Sequence, residues 1–183
     1  MIILGLNAYH GDASAALLID GDLAYAIEEE RLNRKKHCAG FPGLAARECL
    51  ALAGVRPEQI DHVAVSRDPK AHLLQKAMHM AGKVAAGGAE GILGTLKDRL
   101  SNVARLRKAD DALCQALGVS SLRATHHAVE HHRAHLASAF FASPFDKDEA
   151  ALLSLDGFGD FVSTMWGRGR GIDIDRKSTR LNS

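Results

Sequence analysis

Three histidines fall within five positions in EHHRAHLASAF, residues 130–140. If this stretch is helical, His131 and His135 stand at i and i+4 on one face, one turn apart. Two imidazoles in that relation can grip one metal ion, the geometric reason that HExxH motifs work. His132 projects about 100° round the helix from His131. It also stands three positions before His135, so a His132–His135 pair is the alternative. Surface or core histidines are the plain explanation for each residue taken singly. Some twenty residues on comes LLSLDGFGD, where a strand that reads as buried runs into glycines. Asp156 at its end offers a carboxylate, and Gly157 and Gly159 let backbone approach a phosphate. An ordinary Asp-Gly turn accounts for Asp156 alone. Two nitrogens followed by one oxygen, however, make a partial coordination set for a transition metal.

Two further stretches carry chemistry-bearing side chains. NAYHGDASAALL places Asn7, His10 and Asp12 in a turn, with the Gly11 backbone and Ser14 available to a phosphate. Turn residues at turn positions are the simpler account of that segment. EEERLNRKKH gathers Arg31, Arg34, Lys35, Lys36 and His37, enough positive charge for a phosphorylated or carboxylated substrate, although a solvated loop is the usual origin of such a run. A second basic run, Lys97, Arg99, Arg105, Arg107 and Lys108, reads as the outer face of an amphipathic helix and receives no function.

The elements that must hold these groups follow from the apolar pattern. MIILGL, ASAALLID and LAYAIEEE read as three strands, with Asp-Gly in IDGDL as a hairpin signal, so the chain opens as a meander. GLAARECLALAG has helical spacing with Gly54 as a C-cap, and HVAVSR is a fourth strand. DPKAHLLQKAMHMAGK starts a helix with Asp68 as N-cap and Pro69 at its first position. One or two helices follow up to Gly118. LRATHHAV is a strand, EHHRAHLASAFFAS a helix, and EAALLSLDGFGDF with VSTMWGRGRG begins a second meander. Alternating helices and strands after a meander predict an α/β layered domain.

The chain has 183 residues, 46% of them apolar and 25% charged, which places it among globular rather than disordered sequences. The net charge of +1 supplies no argument for nucleic acid or membrane as a partner. The charge is uneven: residues 168–183 hold five Arg/Lys against two Asp, leaving −2 on the rest. Cys38, Cys49 and Cys114 lie far apart without CxxC spacing, which points to reduced thiols and a cytoplasmic protein. MIILGLNAYHGDAS meets polar residues too early for a signal peptide, so export is not expected.

The segments GLNAYHGDASAALLIDG, AIEEERLNRKKHCAGFP, HVAVSRDP, VEHHRAHLASAFFASPF and LSLDGFGDFVSTMWGRGRG, in this order, resemble the N-terminal part of the ATP-dependent O-carbamoyltransferases, the family of nodulation protein U and antibiotic-tailoring enzymes. The likeness runs from residue 1 to about 172. It implies an actin-like, ribonuclease H-like lobe beginning with the three-strand meander. It implies a divalent metal, iron in characterised relatives, on His131, His135 and Asp156. It implies ATP and carbamoyl phosphate as co-substrates that give a carbamoyl-adenylate, from which the carbamoyl group passes to a small-molecule hydroxyl acceptor. By the same resemblance His10 and Asp12 face the adenylate, and Lys36 and His37 lie near the acceptor. Complete members are much longer, with a second lobe and an adenylate-forming domain. The expectation is therefore a truncated lobe over residues 1–172 that is inactive alone, with RKSTRLNS, residues 176–183, as a non-native or disordered tail. The alternatives are a non-catalytic actin-like module that binds a metal or nucleotide, and an ATPase or sugar kinase of the same superfamily. The paired imidazoles weigh against the last.

Overall fold

The computed structural model describes residues 1–9, 11–68, 109–145, 148–159 and 162–180. His10, the helix expected from Pro69 onward, and the basic run from Lys97 to Lys108 lie outside the described residues. The described chain falls into two units, one containing residues up to 67 with 109–128 and the other containing Asp68 with the described residues from 129 onward.

The first unit is built on β1 (Ile2–Asn7), β2 (Ser14–Ile19) and β3 (Asp22–Glu28). Consecutive strands pair antiparallel. The β2–β3 turn is Asp20-Gly21, with φ of 54° and 98°. Both central residues at positive φ make the type I′ geometry that Asp-Gly favours. The short helix α1 (Glu29–Asn33) follows, then α2 (Gly43–Ala53), a 3₁₀ turn at Pro57–Gln59 and β4 (His62–Val65). After the helical residues 109–117 comes β5 (Thr125–Ala128). Strands β4 and β5 add in parallel, giving the sheet order β3-β2-β1-β4-β5. Strand alternation explains the core. Leu4, Leu6, Ala15, Leu17, Val63 and Val65 all point to one face and are buried in one cluster with Ala45, Ala46, Cys49 and Leu50 of α2 and with Leu113. Each buried Leu or Val contributes about 1.5–3 kcal/mol by leaving water. Gly54, at φ 64°, ends α2 in the left-handed conformation that a side chain would oppose.

The second unit is α3 (His131–Phe141) on an antiparallel sheet of β6 (Ala150–Gly159), β7 (Val162–Arg170) and β8 (Asp173–Arg180). His132, Leu136 and Phe140 recur every four residues and form the buried stripe of α3. Leu136 and Phe140 pack on Leu152 and Met165.

Two expectations need correction here. Strand β6 is not buried on both faces: Leu152 and Ser154 are buried while Leu153 and Leu155 are 65% and 71% exposed. A continuous apolar run does not distinguish a sandwiched strand from one covered on a single face. Nor does the strand end at Asp156. It runs to Gly159, with regular pairing through Leu155↔Thr164 and an irregularity before Gly159↔Val162. The backbone from Asp173 runs as strand through Arg180, registered on β7 at Gly167↔Arg176 and Thr164↔Arg180. Pairing of an edge strand is made by backbone groups, so it leaves no apolar signature in RKSTR. Residues 181–183 lie outside the described residues. No helix among the described residues is long and apolar enough to cross a membrane.

Candidate functional site

Helix α3 starts where Glu130 turns its carboxylate back onto the first turn, accepting from the backbone N–H of His132 and Arg133 at 3.0 and 2.8 Å. An acidic cap satisfies donors that the helix cannot satisfy itself and complements its positive end. That cap sets the rotation of the three histidines that follow. His132 falls on the buried stripe, is 0% exposed, and shares a hydrogen bond of 2.8 Å between its Nδ1 and the Ser154 hydroxyl of β6. Its side chain is thereby directed into the unit. His131 and His135, one turn apart, turn instead toward Asp156.

Three ligand atoms meet there. His131 Nε2 is 2.6 Å from Asp156 Oδ2, His135 Nε2 is 3.1 Å from His131 Nε2, and His135 Nε2 is 3.5 Å from Asp156 Oδ2. Among the described residues this is the group of three or more such side chains whose ligand atoms could share an ion. A circle through the three atoms has a radius of about 1.8 Å, smaller than the ~2.1 Å of a metal–imidazole bond, so one ion can touch all three. A ring nitrogen has a single in-plane lobe, carrying either one proton or one lone pair. His131 Nε2 faces both a carboxylate and a second imidazole, an arrangement that one proton serves poorly and a shared cation serves well. The donor set of two imidazoles and a carboxylate suits zinc, iron and similar divalent ions. Burial first, and then the neighbouring His131, hold His135 below the ordinary histidine range, while Asp156 opposes them. The neutral, ligating form of His135 is thus favoured.

In the first unit two loops are tied together. The β1–β2 loop donates from Tyr9 N to Gly40 O at 3.0 Å and from Ala13 N to Cys38 O at 2.8 Å. Asp12 Oδ1 lies 3.1 Å from His37 Nδ1, with both side chains exposed. Asn7 Nδ2 donates to the Asp12 carbonyl at 3.2 Å and its Oδ1 accepts from the Ser66 hydroxyl at 2.9 Å, so its amide holds the loop itself. Ser14 opens β2 opposite Asn7, Gly11 is exposed in the turn, and Lys36 is exposed beside His37. Tyr9, Asp12, Arg34 and His37 all have φ between 53° and 62°. A residue with a Cβ opposes that conformation by roughly 1 kcal/mol, and such strain gathers where a binding loop is held in place by its surroundings. Burial pushes the Tyr9 phenol above its ordinary range. Gly157 and Gly159 lie in β6 next to Asp156, in the irregular part of the β6–β7 pairing.

Sequence reasoning passed over Glu130, Ser154 and Glu29. Glu130 carried a signal, an acid immediately before a helix. Ser154 carried another, a hydroxyl at the same strand parity as Leu152 and Asp156. Glu29 had none, because its partners Leu44 and Ala45 lie in another helix.

The profile of the family described as carbamoyltransferase N-terminus matches residues 2–177. A Synechocystis protein, sll1178, described as uncharacterized, is 36% identical over 177 residues, covering 94% of this chain and 28% of that protein. The nodulation protein NolNO of Sinorhizobium fredii is 30% identical over 179 residues, covering 94% of this chain and 23% of that protein. The chain thus spans about a quarter of the length of these curated relatives. Among solved structures, YeaZ from Pseudomonas aeruginosa is similar at 17% identity and a TM-score of 0.43, covering 99% of this chain and 68% of that one, too distant a likeness to bear on function.

Proposed function

The chain belongs to the carbamoyltransferase N-terminus family, and from that membership we propose that it forms the N-terminal lobe, of actin-like type, of an enzyme moving a carbamoyl group from carbamoyl phosphate, by way of a carbamoyl-adenylate made with ATP, to the hydroxyl of a small molecule. The observation that carries this reading is the meeting of His131, His135 and Asp156 within 4.8 Å of one another on a family background of carbamoyl transfer. These three residues would hold a divalent metal, iron by family likeness. When bound, it would supply a positive charge to polarise a carbonyl or offset a phosphate.

The chain's own residues do the rest. Asp12 at 3.1 Å favours the proton on His37 Nδ1, which leaves the Nε2 lone pair free to accept one. His37 Nε2 takes the proton of the acceptor hydroxyl as its oxygen bonds to the carbamoyl carbon. The bond from that carbon to the adenylate phosphate oxygen breaks, and its electron pair leaves with AMP. Lys36, exposed beside His37, offers positive charge to the departing phosphate. Gly11 and Ser14 would offer a backbone and a hydroxyl donor to a phosphate at the first loop. The strained, doubly tied loops keep Asp12 and His37 in register. His10 keeps the role given by family likeness, facing the adenylate. The further lobe and the adenylate-forming domain would be those that family likeness gives to complete members.

The test is made on the full-length protein. AMP released from ATP and carbamoyl phosphate, with water as the stand-in hydroxyl that takes the carbamoyl group, is measured for the wild type, His37→Ala and His135→Ala, with bound metal counted by elemental analysis. Loss of a general base lowers such a rate about 10²–10⁴-fold. His37→Ala should do so with metal retained, and His135→Ala should lose the metal. AMP release that does not depend on carbamoyl phosphate, or wild-type metal content in His135→Ala, would overturn the reading.

A further inference from the structure

Glu29 is buried at the start of α1, yet it is a carboxylate. Its Oε1 accepts from Leu44 N at 3.2 Å and its Oε2 from Ala45 N at 2.8 Å. Helix α2 has Pro42 at its N-cap position and no side-chain cap of its own. Glu29 is therefore the cap, supplied from another helix, and its negative charge sits at the positive end of α2. Between α1 and α2 runs the loop that carries Lys36 and His37. Its first end is held by Glu30, whose carbonyl accepts from Arg34 N at 2.9 Å and whose Oε2 accepts from His37 N at 3.4 Å. Its far end is held by Glu29 through α2. Its middle is bonded to the β1–β2 loop at Cys38 and Gly40.

We infer that Glu29 is a positioning residue: its carboxylate clamps the start of α2 and thereby fixes loop 34–42, with His37, against the loop that carries Asp12. The inference rests on the reading of these loops as catalytic only for its effect on rate; the clamp itself is a statement about the loops. A cap that merely stabilised α2 would be felt at Leu44 and Ala45 alone. A clamp is felt also at the amides of Tyr9 and Ala13, which lie in another element and donate into the loop at Gly40 and Cys38; the bond from Glu29 N to Ala13 O at 2.8 Å is made by backbone alone and is kept in variants of the Glu29 side chain.

Backbone amide exchange by NMR on the 183-residue chain separates the two. Glu29→Ala should speed exchange at Leu44 and Ala45 and at Tyr9 and Ala13, each at least tenfold, relative to core amides such as Leu4. Glu29→Gln, which keeps an acceptor of the same shape without the charge, should move the same four amides by less, and it carries the test if the alanine variant does not fold. Faster exchange at Leu44 and Ala45 with Tyr9 and Ala13 unmoved would overturn the clamp. In the full-length protein Glu29→Ala should lower kcat about tenfold or more with KM little changed, partly restored by glutamine. If the four amides move and kcat does not, the clamp stands and the catalytic reading of the loops fails.

Discussion

His132 and His135 stand three positions apart on one helix and should fail in different ways. His135→Ala removes a ligand atom from an exposed side chain, so zinc or iron(II) affinity should drop by two orders of magnitude or more while the melting temperature hardly moves. His132→Ala removes a fully buried ring and strands the Ser154 hydroxyl. It should cost about 2–4 kcal/mol in chemical denaturation and leave the ligand atoms intact. Titration of both variants beside their unfolding curves checks this, and a large loss of affinity with no loss of stability in His132→Ala would refute it. Cys49 gives a pH prediction. Burial, and after it Glu48, raise its thiol above the ordinary value. A raised value means that the folded chain holds the proton more firmly than the unfolded one. The contribution is full below about 9, the ordinary value, and is lost as pH rises through and beyond it. Thermal stability should fall over that window in the wild type, and the fall should be shallower in Cys49→Ala. At this scale the spacing of His131 and His135 was legible because helical periodicity is local. Ser154 and Glu29 were not, since each is explained by a partner distant in sequence.

Single elements make their own demands. The cap at Glu130 holds two amides of α3, and Glu130→Ala should cost about 1–2 kcal/mol, with faster amide exchange at His132 and Arg133. Gly169 on β7 lies under the ring of Phe140, so that an added Cβ would stand 2.8–2.9 Å from three ring carbons. Gly169→Ala should therefore destabilise the second unit by about 1–3 kcal/mol, because Phe140 is buried and must shift. Gly169→Ala combined with Phe140→Leu should recover part of that loss. An alanine variant as stable as the wild type would mean that the helix and sheet lie farther apart. The strands of the first sheet were readable because Leu4, Leu6 and Leu17, Val63 and Val65 alternate with outward residues. Strand β6 was misread because Leu153 and Leu155 are as apolar as Leu152. Nothing in the composition of a run tells which of its faces is covered.

At the scale of the whole molecule, Leu153, Leu155 and Trp166 share the face of β6 and β7 turned away from α3, with Trp166 directly opposite Leu153. Apolar side chains gathered in this way favour association. The 183-residue chain should sediment as concentration-dependent oligomers, and Leu153→Thr with Leu155→Thr should shift it toward monomer. An unchanged sedimentation profile in the double variant would show that the face plays no part. An α/β layering was legible in the order of the elements, but the sheet order was not, because no local pattern says that β4 lies beside β1. That order has a kinetic meaning. The meander closes through short turns, whereas Ile3 must find His62 and His62 must find Thr125, each contact spanning some sixty residues of chain. Distant contacts are slow to form. The β1–β2–β3 hairpins can fold on the ribosome before β5 has been synthesised. Until then β4 presents a bare strand edge, so β5 is the last piece of the first sheet to be added and the place where a nascent chain stands most exposed to mispairing.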